Sequence, residues 1–167
     1  MEGTVRSDSG AYIRDGFKSI VKDGVPPESL WPYVVSRFAV KPPKAAYKEA
    51  LSHQALTYQR VIQSLNQLKG CLAEGFPFVF GFMVYESFAS AGVASSGKVP
   101  MPAAGEDIIG GHADLAVGYS DAEQRFIVQN SWGTGWGLKG YFTIPYAYLI
   151  DPQLAADFWT VRLVEAG

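Results

Sequence analysis

Residues 110–140 read GGHADLAVGYSDAEQRFIVQNSWGTGWGLKG, and this stretch carries the strongest structural signal in the chain. Two mainly apolar runs, 113–119 and 125–129, flank a polar segment from Ser120 to Glu123, which predicts two strands joined by a tight turn. The residues that follow, 132–140, contain four glycines and predict an irregular loop with unusual backbone angles. We therefore expect an antiparallel hairpin that leads into a glycine-rich loop.

A histidine begins the first of these strands and an asparagine ends the second. His112 and Asn130 are eighteen positions apart and their midpoint falls on the turn, so strand pairing predicts a contact between them. An amide oxygen beside an imidazole N–H can fix the orientation and tautomer of the ring, as a catalytic histidine requires. Trp132 would shield this hydrogen bond from water. The alternative is an ordinary histidine at a hairpin end with a side-chain partner.

The rest of the chain predicts helices first and strands afterwards. We expect helices over residues 9–23, 44–52 and 64–74, with Ser9 as the first N-cap and Gly75 closing the third. We expect strands over residues 57–62, 76–85, 141–144 and 158–164, with a helical turn over 145–150. This order predicts an α+β fold with an antiparallel sheet.

Two further features of the sequence, at residues 76–85 and 89–111, carry more specific expectations. Residues 76–85 form a continuous run of mainly aromatic and β-branched side chains, which predicts a strand buried on both faces. Residues 89–111 are rich in Ala, Ser, Gly and Pro and predict a long surface loop, and loops of that length tend to be functional or mobile.

Composition excludes several classes of function. The 167 residues predict about one domain, and the 14 basic against 16 acidic side chains give a net charge of −2, so we expect no nucleic-acid partner. One cysteine and two histidines are too few for a dedicated transition-metal site. The longest apolar run is too short to span a membrane, and the first residues lack the apolar stretch of a signal peptide. For the chain as given, these features predict a cytoplasmic protein without a membrane partner.

The segments GGHADLAVGY and FIVQNSWGTGWGLKGYFTIPY resemble the His and Asn strands of the papain-like cysteine peptidases. The earlier segments SGAYIRDGFKSIVKDGV and LKGCLAEGFPFVFGF are similar to helices and a strand of that family, so the resemblance runs from about Ser9 to Val164. The prokaryotic-type members without disulfides are the most similar. The resemblance implies a papain-like α+β fold in one incomplete domain over residues 1–167, with a helical-half remnant over about 1–36 and an antiparallel β-barrel-like half over about 37–167.

The resemblance also implies roles for individual residues. His112 would be the general base that pairs with a thiolate, Asn130 would orient it, and Trp132 would shield the pair. The backbone of Gly10 would pair with an extended peptide substrate. The remaining residues assigned to substrate binding are Tyr12, Gly81, Gly111, Ala113 and Trp136. The chemistry of a cysteine–histidine pair requires no cofactor, and none is implied.

The nucleophile of that family is missing from this chain. Its signature, C-G-[SA]-C-[WY], precedes the His and Asn by about 130–150 residues. Nothing of that form occurs here, and Cys71 lies only 41 residues before His112, within a predicted amphipathic helix. A cysteine in that place cannot form the thiolate–imidazolium pair that activates sulfur, so we expect a buried or half-buried structural thiol and a chain that is inactive alone.

Three interpretations remain. The chain is the C-terminal part of a truncated or split papain-like peptidase, a non-catalytic papain-like module that binds peptides, or an unrelated antiparallel protein in which the hairpin is purely structural. Under the first, we expect exposed apolar surface where the missing helix would dock. That surface predicts a homo-oligomer, a swapped dimer or a complementing N-terminal chain, in addition to a peptide or protein substrate.

Overall fold

The computed structural model describes residues 10–164. These residues form two compact units, one made by residues 10–59 together with 161–164, the other by Arg60–Thr160. The family resemblance implies a different division, near residue 37, between a helical half and a β-rich half. That division stays a prediction.

The first unit contains α1 (Ile13–Asp23), α2 (Lys44–Ala50) and β1 (Ala55–Arg60), with a short 3-10 helix over Val35–Arg37. Helix α1 ends at Gly24, as predicted, with φ of 71°. A Cβ at Gly24 would lie 1.7 Å from the carbonyl oxygen of Ala50, so this close approach of α1 to α2 requires glycine. The predicted N-cap, Ser9, lies outside the described residues, and Tyr12 occupies the N-cap position of α1.

The second unit is built on a sheet. Its helices are α3 (Leu65–Ala73), α4 (Ala91–Ser96) and α5 (Tyr146–Ile150), and a 3-10 helix covers Glu86–Ala89. Its strands are β2 (Phe78–Tyr85), β3 (Ile108–Ser120), β4 (Arg125–Gln129), β5 (Tyr141–Pro145) and β6 (Ala155–Val164), and β6 continues into the first unit. The strand order is β1-β6-β2-β3-β4-β5. Every pairing for which the structure gives a register is antiparallel, which confirms the predicted α+β class.

Strand β2 forms the centre of the core, but the prediction that both of its faces are buried was wrong. Its side chains alternate between buried and half-buried along the strand. The buried face carries Phe78, Phe80, Phe82 and Val84, and Phe80 stacks on Phe158 of β6 with ring centroids 5.7 Å apart. An antiparallel sheet commonly packs only one face fully against the core, even where a strand is apolar throughout.

The long surface loop expected over 89–111 was also wrong, because the segment contains α4 and the first residues of β3. Ser90 begins α4, since its Oγ accepts a hydrogen bond from the amide of Val93 at 3.2 Å. Gly97 ends it in the left-handed conformation with φ of 62°. Beyond the remaining loop, Gly110 and Gly111 pair with β2, so β3 begins four residues before His112. Among the described residues, no helix has the length and apolar character that crossing a membrane requires.

Candidate active site

The β3–β4 hairpin brings His112 and Asn130 together, as its turn and strand lengths predict. Nε2 of His112 lies 3.2 Å from Oδ1 of Asn130. The register contains a shift between Ala116 and Gly118, and Leu115 pairs with Gln129 beyond it. Asn130 follows Gln129 at the end of β4, and His112 lies three residues before Leu115 on β3, so the imidazole reaches Asn130 diagonally across the hairpin.

Aromatic rings enclose the imidazole of His112. Phe82 is its cross-strand partner on β2, with ring centroids 5.7 Å apart. Phe88 lies beside it at 6.4 Å, and the indole of Trp132 stacks on it at 5.1 Å. The imidazole is therefore half-buried between apolar surfaces, where water competes less for its hydrogen bonds.

The glycine-rich loop fixes the position of Trp132 relative to Asn130. The amide of Asn130 donates to the carbonyl of Gly140 at 2.9 Å, so the loop returns to the residue from which it starts. Gly133, Gly137 and Gly140 all have positive φ, which is the irregular conformation expected of this segment. Trp136, also in the loop, packs edge-on against Trp132 with ring centroids 5.2 Å apart.

Asp114 is a member of the site that our sequence reasoning missed. It is only 5% exposed, and its Oδ2 lies 3.2 Å from Nε2 of His112. This oxygen has no well-aligned hydrogen bond, so the contact with the imidazole is an ion-pair contact rather than a directed bond. The available signal was the spacing: Asp114 follows His112 by two residues in an otherwise apolar strand, and such residues share a face.

The two ionisable groups shift each other's protonation. Burial alone lowers the pKa of His112, but the close contact with Asp114, together with the hydrogen bond to Asn130, raises this pKa above its ordinary value. Burial raises the pKa of Asp114, and its interaction with His112 opposes that effect without overcoming it. A carboxylate in an apolar site favours the charged imidazole next to it.

The same contacts identify which ring nitrogen is basic. Both oxygens, from Asn130 and Asp114, lie next to Nε2, so Nε2 carries a proton and donates it in either charge state of the ring. Among the described residues, Nδ1 of His112 has no hydrogen-bond partner. Nδ1 is therefore the nitrogen at which a proton is gained or lost.

The predicted substrate-binding residues fall into three places. Gly81 and Ala113 are direct cross-strand partners, and Gly111 pairs with Met83 on the same two strands. Since successive residues of a strand point to opposite faces, Ala113 and Gly111 lie on the other face of the sheet from His112. Trp136 lies with Trp132 at the site. Gly10 and Tyr12 belong to the first unit, where both are exposed.

Cys71 lies in the core, as expected. It is 4% exposed on α3, and its Sγ donates to the carbonyl oxygen of Phe76 at 3.3 Å. It is not among the side chains that contact His112. Within residues 10–164 there is no group of three or more His, Cys, Asp or Glu side chains that could hold a metal ion.

Known cysteine proteases are similar to this chain. The family model described as papain family cysteine protease matches residues 5–149. The chain belongs to the papain family of cysteine proteases. It is 45% identical to an uncharacterized peptidase C1-like protein of Acanthamoeba polyphaga mimivirus, over 98% of this chain and 55% of that protein. It is 28% identical to cysteine proteinase 1 of Entamoeba histolytica, over 81% of this chain and 42% of that protein.

Solved structures of papain-family proteases have the same fold. Xylellain, a cysteine protease from Xylella fastidiosa, superposes with a TM-score of 0.89 at 42% identity, covering 96% of this chain and 65% of that one. Digestive procathepsin L2 from Tenebrio molitor, at 24% identity and a TM-score of 0.66, shows the fold alone. The chain thus has the papain-like α+β fold, and it spans about half the length of the curated relatives it matches.

Proposed function

We propose that this chain carries the histidine and asparagine of a papain-like peptidase that hydrolyses peptide bonds when a thiol is supplied against Nδ1 of His112. The observation that carries the proposal is the arrangement of the imidazole. Nε2 is engaged by Asn130 and Asp114, whereas Nδ1 has no partner among the described residues. A base oriented through one nitrogen and open at the other is what nucleophilic catalysis by a thiol requires.

The reaction follows from that geometry. Nδ1 of His112 takes the thiol proton, and the thiolate attacks the carbonyl carbon of the scissile peptide bond. The C–N bond breaks as the imidazolium gives its proton to the leaving amine, which leaves an acyl-enzyme. Water then attacks the acyl carbon while His112 accepts its proton, and the thiol is released when that proton returns to sulfur. Asn130 keeps the ring in one orientation throughout.

The nucleophile, in this proposal, does not come from Cys71, so the described chain is inactive alone. The side chain of Cys71 is buried on α3 and engages the carbonyl of Phe76. A buried structural cysteine is chemically inert. We assign it a structural role.

A complementing segment is the partner that we propose for the first unit. Its residues 30–40 expose large apolar side chains, among them Tyr33 at 84%, Val35 at 69% and Phe38 at 75%. Exposed apolar residues in one short segment are typical of a surface that another chain covers. Xylellain, which is similar over nearly the whole of this chain, has further residues outside the match, since only 65% of it is covered. A second copy of this chain, as a homo-oligomer or swapped dimer, is the alternative occupant. A cytoplasmic location, expected from the sequence, stays a prediction.

Complementation tests the proposal. The full chain is refolded with and without the part of xylellain that lies outside the match, and hydrolysis of a fluorogenic dipeptide amide is followed. We expect hydrolysis only from the mixture. The variant His112→Ala should lower it by about 100-fold or more, and the matched variant His53→Ala, whose imidazole lies on the surface beside Glu49, should not change it.

Two results would overturn the proposal. One is hydrolysis by the chain alone that is abolished by Cys71→Ser, because the nucleophile would then be Cys71. The other is a complex that assembles, as measured by light scattering, and binds the peptide without cleaving it. That second result would identify the chain as a non-catalytic peptide-binding module of this family.

A further inference from the structure

Asp114 is a buried carboxyl group that the mechanism above does not require. Its Oδ2 is buried without a well-aligned hydrogen bond, although it lies 3.2 Å from Nε2 of His112. An unpaired carboxylate in an apolar interior is costly, and a valine or leucine would pack there without that cost. The contact with His112 is the compensation that the structure offers.

We propose that Asp114 is a positioning residue of the active site, whose carboxylate acts with Asn130 to keep the proton of His112 on Nε2 and to stabilise the imidazolium. The proposal rests on the function proposed above. Asp114 touches neither a nucleophile nor a substrate, and it acts through His112.

Within residues 10–164, His112 is the ion-pair partner that the structure gives the carboxylate of Asp114. On β2, Asp114 pairs with Phe80, which is fully buried. The elements packed against His112 contribute Phe82 from β2, Phe88 from the 3-10 helix and Trp132 from the loop after β4. Among the described residues, no further charged side chain pairs with either His112 or Asp114.

A carboxylate beside Nε2 has a chemical consequence that the amide of Asn130 alone lacks. The neutral amide of Asn130 orients the ring but adds no charge, whereas the carboxylate of Asp114 attracts the positive imidazolium. The ring therefore holds a proton at Nδ1 more strongly, and a larger fraction of a thiol placed there would be thiolate. Asp114 would thus extend the pH range in which the thiolate–imidazolium pair exists to more alkaline values.

Nuclear magnetic resonance on the full chain tests this directly. Imidazole nitrogens are followed against pH in the wild type and in Asp114→Asn, which keeps the shape of the side chain and removes its charge. We expect the pKa of His112 to fall by about one unit or more in the variant. The resonances of His53, the second histidine of the chain, are assigned separately so that the change at His112 is read alone. In the wild type, the neutral ring of His112 should carry its proton on Nε2.

An unchanged pKa of His112 in a folded Asp114→Asn protein, or a neutral ring protonated at Nδ1 in the wild type, overturns the proposal. Folding of the variant is checked by near-ultraviolet circular dichroism. If the variant does not fold, the carboxyl carbon of Asp114 is observed in the labelled wild type. It should be ionised wherever His112 is protonated near neutral pH, and a protonated carboxyl there also overturns the proposal.

These measurements need no catalytic activity, so they separate this inference from the proposed function. If the complemented enzyme is inactive, the proposed function fails while the titration still reports on Asp114. If the enzyme is active, the alkaline limb of its kcat/KM profile should move to lower pH in Asp114→Asn by the same amount as the pKa of His112. A limb that does not move overturns the role of Asp114 in the reaction.

Discussion

The indole of Trp132 lies against the imidazole of His112, with ring centroids 5.1 Å apart and an interplanar angle of 30°. Trp132 itself is 48% exposed, although Phe88 and Trp136 also pack against its indole. Of the three aromatic neighbours of the imidazole, Phe82 and Phe88 are buried and Trp132 is the exposed one. Trp132 is therefore the neighbour that separates the imidazole from solvent.

Replacing Trp132 by alanine should open the His112–Asn130 hydrogen bond to water. We expect the Nε2 proton of His112 to exchange with solvent too fast for detection in the variant, while it gives a resolved resonance in the wild type. Trp31→Ala is the matched control, because Trp31 makes no ring contact with His112. A resonance that persists in Trp132→Ala would show that the other aromatic neighbours suffice to protect the bond.

The dependence of stability on pH should be steeper in the wild type than in Asp114→Asn. The pKa of His112 is raised by folding, so its contribution to stability is complete below the ordinary value of 6.5 and is lost as pH rises through the folded value. The pKa of Asp114 is also raised, so its contribution is lost as pH rises from 3.8 through its folded value. Both groups make the free energy of unfolding decrease with rising pH.

Asp114→Asn removes one of these contributions and weakens the other. Urea unfolding at a series of pH values should therefore show that the variant gains stability relative to the wild type as pH rises above 6.5. The cause is that the wild type then holds a buried carboxylate beside a neutral imidazole. A stability difference that is constant with pH would mean that the pair does not titrate as a unit.

The glycine-rich loop should tolerate alanine at one position and not at another. Gly137 has φ of 58°, and a Cβ there would lie 2.5 Å from the carbonyl oxygen of Tyr141. We expect Gly137→Ala to lower the free energy of unfolding by more than about 1 kcal/mol. At Gly135 a Cβ would meet no atom within 4 Å, and its φ is not positive, so Gly135→Ala should change stability by about 0.5 kcal/mol or less. Equal effects in chemical denaturation would contradict this explanation.

Local sequence predicted the hairpin and its loop because their signals are local. The polar turn, the alternating strands and the clustered glycines each act over a few residues. Helix α3 was predicted for the same reason, since Ser64 occupies its N-cap and Gly75, with φ of 85°, lies just beyond its end. Helix α4 was missed because its Ala, Ser and Gly composition is shared by loops, and what identifies it is the burial of Val93.

Only the part of the candidate site that depends on the pairing of the hairpin strands was predictable from the sequence. The contact of His112 with Asn130 follows from the position of the turn, but the register shift between Ala116 and Gly118 has no local signature. The burial of Asp114 depends on Phe80 of β2, which is distant in sequence and becomes its neighbour only through strand pairing. Long-range pairing of this kind is what a single sequence leaves undetermined.

Phe142 should be the residue of β5 whose loss most affects both the core and the site. It is fully buried, and the centroid of its ring lies 5.5 Å from that of Phe88 and 5.8 Å from that of Trp136. Phe142 therefore packs against the aromatic side chains near the imidazole. Phe142→Ala removes this support and leaves a cavity, which typically costs about 3–5 kcal/mol. The adjacent Tyr141, 37% exposed, provides the matched control, and Tyr141→Ala should cost about 1 kcal/mol or less. Urea unfolding should show a lower midpoint for Phe142→Ala at an unchanged m-value, and similar midpoints for the two variants would contradict a core centred on these rings.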